Sequence, residues 1–167
     1  MEQSTFDLMT RVKWTVHALY VRQHAMVAVL SSVQHRVEDA DLAELINRHL
    51  GETRVQIRRL RCVGQVLDVD FSQVDDLQTL ADLREFAHEL AQGLLHGSVD
   101  AVAGKALMNL AVVEHGLYSY ARSVCQDMAE WEIAGLLLAS EEEEERFVED
   151  LSTLTGHENP GFELAVA

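Results

Sequence analysis

Residues that interrupt helices are scarce in this chain. It contains one proline, Pro160, and nine glycines among 167 residues, and it has few clusters of turn-forming residues. Proline removes a backbone donor and clashes with the preceding turn in a helix interior, so its near absence permits long helices. The apolar and polar residues also do not alternate as they would in half-buried strands. The sequence therefore predicts an all-α fold.

Cysteine and long apolar runs are also scarce. Cys62 and Cys125 are far apart and lie within helical patterns. A reducing cytosol rarely keeps disulfides, so we expect two buried free thiols. No apolar run approaches the roughly 20 residues needed to cross a bilayer, and the acidic Glu2 and Asp7 stand where a signal peptide would be basic. We expect a cytoplasmic protein that does not enter the membrane.

Positive charge is scarce and unevenly distributed. Residues 1–67 carry nine basic and seven acidic side chains, whereas residues 68–167 carry four and 21. The net charge of −15 disfavours nucleic acid and anionic membranes as partners, because their phosphates would be repelled. A cluster of arginines is compatible with a phosphate-binding patch, but we expect it to face the acidic last helix. Its members are Arg48, Arg54, Arg58, Arg59 and Arg61.

The apolar periodicity predicts four long helices and one shorter helix. The long helices are expected at about 4–33, 39–67, 98–128 and 130–154. The shorter helix, from Asp75 or Asp76 to Leu95, would form an extra crossover helix between the second and third long helices. We predict one helical domain over residues 1–156, a four-helix bundle of antiparallel pairs, followed by a C-terminal tail at 157–167.

Each long helix interrupts its apolar stripe near the middle with polar residues. These residues are Gln23 in the first helix, His49 and Gln56 in the second, Glu114 in the third and Glu143 in the fourth. Apolar residues at this spacing share one helix face that must be buried against other helices. A polar layer shared by four helices is typical of a bundle that holds, or once held, a carboxylate metal site.

One motif in the second helix is specific. Residues 49–60 read HLGETRVQIRRL and match the pattern H-L-x-E-T-x-x-Q-x-x-R-L at all seven fixed positions. In this the chain resembles the bacterial YciE/YciF family of ferritin-like stress-associated proteins. Weaker similarities follow at Leu19-Tyr20, Val113-Glu114-His115 and Glu143-Glu144. The resemblance implies a ferritin-like bundle, often dimeric, whose centre is lined by carboxylates and whose activity is not settled.

The chain also departs from that family. Gln23 stands where the resemblance implies a glutamate, and an amide is a weaker metal ligand than a carboxylate. The di-iron pattern of a glutamate followed by a histidine at i+3 is missing, because Val55 follows Glu52 and Arg146 follows Glu143 at that spacing. Only the reversed pair, His49 and Glu52, places an imidazole and a carboxylate on one face.

Two functional hypotheses remain open. The first is a divergent YciF-type, non-enzymatic module with a lost or reduced metal centre, acting in stress physiology through assembly or a protein partner. The alternative is a carboxylate-bridged metalloprotein that binds iron, manganese or zinc and has a possible redox role. Its candidate ligands are Glu52, Glu114, Glu143, Glu144, His49 and His115, with Gln23 and Gln56 in the same layer.

Each candidate ligand also has a structural interpretation. The amides and His49 could form hydrogen bonds within the layer, and Arg59 or another basic residue could neutralise the buried carboxylates. The run Glu141–Glu145 is expected to be mostly a solvated face. No nucleophile motif or glycine-rich phosphate loop indicates a catalytic residue, so an enzyme is the less favoured interpretation.

The first helix carries more apolar residues than one bundle interior can bury. Those outside its core stripe are Trp14, Tyr20, Val21, Val27 and Val29. A large exposed apolar surface marks a contact site, so we predict a homodimer or a higher assembly. We expect Trp14 and Trp131 to lie in the core or at an interface.

Overall fold

The computed structural model describes residues 2–72 and 99–156, together with the single positions 81, 88 and 92. Four helices follow one another: α1 (Glu2–Val33), α2 (Ala40–Leu67), α3 (Val99–Asp127) and α4 (Trp131–Thr155). Their boundaries lie within two residues of the predicted ones. The described residues contain no strand, so the predicted all-α bundle is confirmed.

The helix ends follow from local chemistry. Asp39 precedes α2, and its carboxylate accepts a hydrogen bond from the backbone N–H of Leu42 at 2.8 Å, which satisfies one of the free donors of the first turn. The chain leaves α2 through Asp68, which has a φ of 55°, and leaves α4 through Gly156, which has a φ of 65°. The left-handed conformation lets each residue donate its N–H to a carbonyl of the last turn.

The apolar stripes meet in two separate core clusters. Cluster I contains the second half of α1, the first half of α2, the first half of α3 and the end of α4. Cluster II contains the other halves, with Val12 to Leu19, Leu60 to Leu67, Tyr118 to Cys125 and Ile133 to Leu137. Burial of these side chains is the main force that stabilises the bundle.

The two clusters define the directions of the helices. Cluster I holds the C-terminal halves of α1 and α4 but the N-terminal halves of α2 and α3. Both α1 and α4 are therefore antiparallel to α2 and α3. The C-terminal end of α2 lies beside cluster II and the N-terminal end of α3 lies beside cluster I, so these two helix ends are at opposite ends of the bundle, roughly 40 Å apart for helices of this length.

Some predictions fall outside the described residues. The predicted crossover helix at 75–95 lies almost entirely there, as does the predicted tail at 157–167. Within the described part, no helix is long and apolar enough to span a membrane.

Three side chains are more exposed than predicted. Cys125 is buried, but Cys62 lies on the outer surface of α2, so the prediction of two buried thiols is wrong for Cys62. Trp14 and Trp131 are both about two-thirds exposed, which excludes them from the core of the single chain. Each stands on the outward face of its helix, away from clusters I and II.

Candidate functional site

A buried polar layer separates cluster I from cluster II, as the interrupted stripes predict. All four helices contribute to it, with buried side chains Gln23, His49, Thr53, Gln56, Glu114, Ser140 and Glu144. A buried polar group costs free energy unless it finds a partner, so the partners of these groups decide what the layer can do.

Glu114 of α3 is held by two residues of α1. Gln23 Nε2 donates a hydrogen bond to Glu114 Oε2 at 3.1 Å, and Arg22 Nε lies 3.9 Å from Glu114 Oε1. All three side chains are buried. The Gln23 amide therefore directs a donor at the carboxylate, and the nearby Arg22 guanidinium supplies positive charge.

Glu143 of α4 forms an ion pair with Arg59 of α2. Arg59 Nη1 lies 2.6 Å from Glu143 Oε2, and Nη2 lies 2.8 Å from Oε1. Arg59 Nη1 also donates to Ser140 Oγ at 3.3 Å. The two-pronged geometry satisfies both carboxylate oxygens. The expectation that the arginines of α2 face the last helix is thus confirmed for Arg59 and for Arg48, which pairs with Asp150. It is wrong for Arg61, which donates a hydrogen bond to Tyr20 of α1 instead.

His49 lies completely buried between carboxylates. Its ring stacks on Phe147 with centroids 3.6 Å apart and planes 5° apart. Nδ1 lies 3.4 Å from Glu52 Oε2, and Nε2 lies 3.7 Å from Glu144 Oε2. Burial lowers the pKa of His49, and the neighbouring Glu52 only partly opposes that shift. His49 is therefore a neutral imidazole at physiological pH.

Glu144 is the most deeply buried acid of the layer. Neither of its oxygens has a hydrogen bond of normal geometry with the described residues, and the same is true of both amide atoms of Gln56 and of the hydroxyl of Tyr118. The Gln56 amide is nevertheless close enough to favour the charged form of Glu144, and Ser140 is close enough to favour that of Tyr118. Burial raises the pKa of Glu144 well above its ordinary value, and the charge of Glu114 raises it further. Burial likewise raises the pKa of Tyr118, assisted by Glu144 and Glu114. Both shifts favour the neutral, protonated forms of these groups.

Two features of the layer were missed from sequence. Tyr118 of α3 is fully buried, although the sequence assigned only Glu114 of that helix to the layer. The prediction that Glu141–Glu145 is mostly solvated is also wrong, because only Glu142 and Glu145 are exposed. Three-residue spacing places Glu141 and Glu144 on the inward face of α4, and that spacing was the available signal.

Glu141 and His115 form a second polar group, apart from His49. Arg122 of α3 forms a two-pronged ion pair with Glu141, with Arg122 Nη2 3.2 Å from Glu141 Oε1. His115 Nε2 lies 4.0 Å from Glu141 Oε1. His115, a candidate ligand, is thus directed at the Arg122–Glu141 pair rather than at Glu144.

The donor arrangement does not fit a dinuclear carboxylate centre. Such a centre needs several carboxylates and imidazoles directed at shared metal ions, but Glu114 and Glu143 are directed at an amide and at arginines. Among the residues that the structure describes, no group of three or more His, Cys, Asp or Glu side chains is arranged to hold a metal ion. Of the candidate ligands, only His49 has carboxylates of both Glu52 and Glu144 beside it.

Comparison with known proteins identifies the family of the chain. No curated protein matches the chain. A family model described as a domain of unknown function, DUF892, matches residues 14–159, which include all of α2, α3 and α4 and most of α1. Since this match covers well over half of the chain, the protein belongs to the DUF892 family.

Proposed function

We propose that this protein is a divergent ferritin-like module of the YciF type, without enzymatic activity, that acts in stress physiology through assembly or partner binding. In this proposal the metal centre of the related proteins is lost or reduced, and the polar layer has become structural. The observation that carries the proposal is the way in which the carboxylates are neutralised: Arg59 pairs with Glu143, and Gln23 and Arg22 engage Glu114.

The order and direction of the helices support the ferritin-like part of the proposal. The bundle has two antiparallel helix pairs, and the end of α2 and the start of α3 lie at opposite ends of it. Ferritin-like proteins with one long crossover connection share this arrangement. The motif at residues 49–60 supports the YciF-type part, because its polar members lie in the layer: His49, Thr53 and Gln56 are buried, and Arg59 forms the ion pair with α4.

An assembly role is supported by one exposed apolar side chain of α1, Trp14. Trp14 is 67% exposed, and it lies one turn from Arg11, whose pKa is raised by a hydrogen bond with Tyr120 of α3. Trp14 therefore lies on the outer α1–α3 face, where Val113 of α3 is also exposed. We propose that this face forms the homodimer contact. Of the other residues in the predicted stripe, Val29 is buried in cluster I and Tyr20 stacks on Phe71.

Light scattering of matched variants tests the dimer. We expect Trp14→Glu to convert a dimer into a monomer, because it places a charge in an apolar contact. Val66→Glu is the control, since Val66 is 69% exposed on another face of the bundle and should leave the dimer intact. A wild-type monomer at micromolar concentration would contradict the proposed dimer.

Metal analysis tests the structural role of the polar layer. The purified protein should contain far less than stoichiometric iron, manganese or zinc, and chelation should leave its melting temperature unchanged. If a dinuclear site were present, about two metal ions per chain should co-purify, and removing them should lower stability by mass action. Loss of that metal in Glu144→Gln but not in the exposed control Glu142→Gln would overturn the proposal.

One observation favours a second candidate function, the binding of a single cation. His49 Nε2 and Glu144 Oε2 lie 3.7 Å apart and are fully buried. His49 Nε2 has no hydrogen-bond partner among the described residues, and of the groups near Glu144 only the Gln56 amide is a hydrogen-bonding neighbour. Imidazole nitrogen and carboxylate oxygen suit zinc, manganese or iron. In this case about one metal ion per chain would co-purify and would depend on both His49 and Glu144.

A further inference from the structure

Three arginines form a row on the outer surface of α2. Arg54, Arg58 and Arg61 are four and three residues apart, so they share one helix face, and all three are exposed. Arg61 Nε donates a hydrogen bond to Tyr20 Oη at 3.1 Å, which places this basic row on the side of α2 next to α1. Within the described part of the chain, no carboxylate lies within ion-pair distance of Arg54 or Arg58.

Three glutamates form a corresponding row on the outer surface of α4. Glu142, Glu145 and Glu149 are exposed, whereas Glu141 and Glu143 are paired with arginines inside the bundle. Burial lowers the pKa of His115 of α3, and the negative charge of Glu145 opposes that shift, so Glu145 lies near α3. This acidic row therefore lies on the α3–α4 face, opposite the α1–α2 face that carries the basic row.

The two rows match when the helices run in opposite directions. Along α2 the steps from Arg54 to Arg58 to Arg61 are four and three residues. Read backwards along α4, the steps from Glu149 to Glu145 to Glu142 are also four and three residues. Each row spans seven residues, roughly 10 Å of helix. An antiparallel contact would place Arg54 opposite Glu149, Arg58 opposite Glu145 and Arg61 opposite Glu142.

The same alignment matches an apolar side chain to a cavity. A cavity of about 500 Å³ lies beside the basic row, lined by Arg61 together with Tyr20, Gln65 and Phe71 among others. On α4, Leu138 is 40% exposed and lies one helical turn before Glu142. Gln65 lies one turn after Arg61. Bringing Arg61 to Glu142 therefore brings Leu138 to the cavity.

We propose that the α1–α2 face of one molecule binds the α3–α4 face of a second copy of this chain. The contact joins the basic row and its cavity to the acidic row and Leu138. Because the two surfaces lie on opposite faces of one molecule, the contact is heterologous and repeats until a ring closes or a filament grows. The inference rests on the assembly role proposed above, but it uses a different face from the homodimer contact at Trp14.

Sedimentation at low and high salt provides the first test. At about 20 mM salt the wild-type protein should form species larger than the dimer, which should dissociate at about 500 mM salt because exposed charges are then screened. The apolar dimer contact should survive high salt. A protein that dissociates only to dimers supports both contacts, and one that dissociates to monomers supports only the heterologous contact. A dimer that never grows at low salt overturns this inference alone.

Charge-reversal variants provide the second test. The first carries Arg54→Glu and Arg58→Glu, and the second carries Glu142→Arg and Glu145→Arg. In each variant both faces carry charge of the same sign. Each variant alone should therefore associate about tenfold more weakly than the wild-type protein. A mixture of the two variants should regain association, because opposite faces then meet. Leu138→Glu should weaken association without changing its salt dependence.

The control reverses two charges elsewhere. Arg36→Glu with Lys105→Glu changes the net charge by the same amount as the first variant, and both residues are exposed and belong to neither row. It should associate more than the first variant at the same salt concentration. Equal association of the two would overturn the inference, as would a mixture no larger than its components. The first variant could instead show a lowered melting temperature and unchanged association. That result would mean that the arginines contact other residues of their own chain, and it would also overturn the inference.

Discussion

Arg59 of α2 and Glu143 of α4 form a two-pronged ion pair whose side chains are only 23% and 12% exposed. The neighbouring pair between the same helices, Arg48 and Asp150, has side chains that are 53% and 47% exposed. The two pairs join the same two helices with the same chemistry at different depths. Water screens the outer pair, whereas the inner pair stands at the edge of the polar layer, where a carboxylate without a partner costs free energy.

Replacing each arginine by methionine separates these effects. Arg59→Met leaves Glu143 without its partner in a poorly hydrated position, and we expect it to lower the free energy of unfolding by about 1–3 kcal/mol. Arg48→Met keeps the aliphatic stem and should cost less than about 1 kcal/mol, as exposed ion pairs do. Urea denaturation at neutral pH measures both values. Equal costs for the two variants would contradict a stabilising role of the inner pair.

Replacing Glu144 by glutamine tests whether this buried acid is neutral. Burial raises its pKa in the folded protein above the ordinary value of 4.5, while the unfolded chain ionises near that value. The wild-type protein therefore loses stability as the pH rises from about 4.5 through the folded pKa. Glu144→Gln removes the ionisable group, so its stability relative to the wild type should increase with pH.

The pH dependence of unfolding measured for both proteins decides this point. At pH 4 the free energy of unfolding of the glutamine variant should be close to that of the wild type. At pH 7 the variant should be at least as stable as the wild type. Glu142→Gln is the control, because the exposed Glu142 should leave the pH dependence unchanged. If Glu144→Gln instead destabilises the protein strongly at pH 7, an ionised Glu144 bound to a cation becomes the better explanation.

Much of the fold and of the polar layer can be predicted from the sequence. In α1 and α2 the apolar residues recur at three and four residues without ambiguity, so the polar residues within the stripe, Gln23, His49 and Gln56, could be assigned to the buried face. Their burial follows from helical geometry alone. The partner of Gln23 was not predictable, because Glu114 lies 91 residues away and the packing of α1 on α3 brings them together.

The last helix shows where sequence patterns fail. The sequence assigned Glu143 to the polar layer, but the structure buries Glu144 fully, together with Leu137 of the apolar stripe, and leaves Glu143 only partly buried. Five consecutive glutamates allow two neighbouring registers, since each residue in the run has the same side chain. Cross-helix ion pairs set the register: Arg59 binds Glu143 from α2, and Arg122 binds Glu141 from α3.

A substitution at Gly64 tests the attachment of the chain that follows α2. A Cβ at position 64 would overlap the ring of Phe71, which lies against the helix and stacks on Tyr20 with centroids 4.1 Å apart. Gly64→Ala must displace that ring, and we expect a loss of about 1–3 kcal/mol, the usual cost of overpacking. Thermal or urea unfolding gives the value.

The matched control for Gly64 is Gly51, in the same helix. A Cβ at position 51 meets no atom within 4 Å, so Gly51→Ala should be neutral or should stabilise the helix by up to about 1 kcal/mol. In the background of Phe71→Ala, the Gly64→Ala change should lose most of its cost. A cost that persists there would show that contacts other than the Phe71 ring require glycine.

The two cysteines should differ in reactivity, because only the thiolate is nucleophilic and only one thiol is accessible. Cys62 is exposed on α2, whereas Cys125 is buried in cluster II. Burial raises the pKa of Cys125 to about 11, and the charge of Glu130 contributes to the shift.

In the native protein an aromatic disulfide reagent at pH 8 should therefore modify Cys62 rapidly. Cys125 should react only at the rate at which the bundle opens, and in urea above the unfolding midpoint both should react at once. Cys62→Ser should abolish the fast phase and Cys125→Ser should leave it unchanged. A fast phase that survives Cys62→Ser would mean that the reagent reaches Cys125 in the folded protein. That result would contradict the burial of this thiol in cluster II.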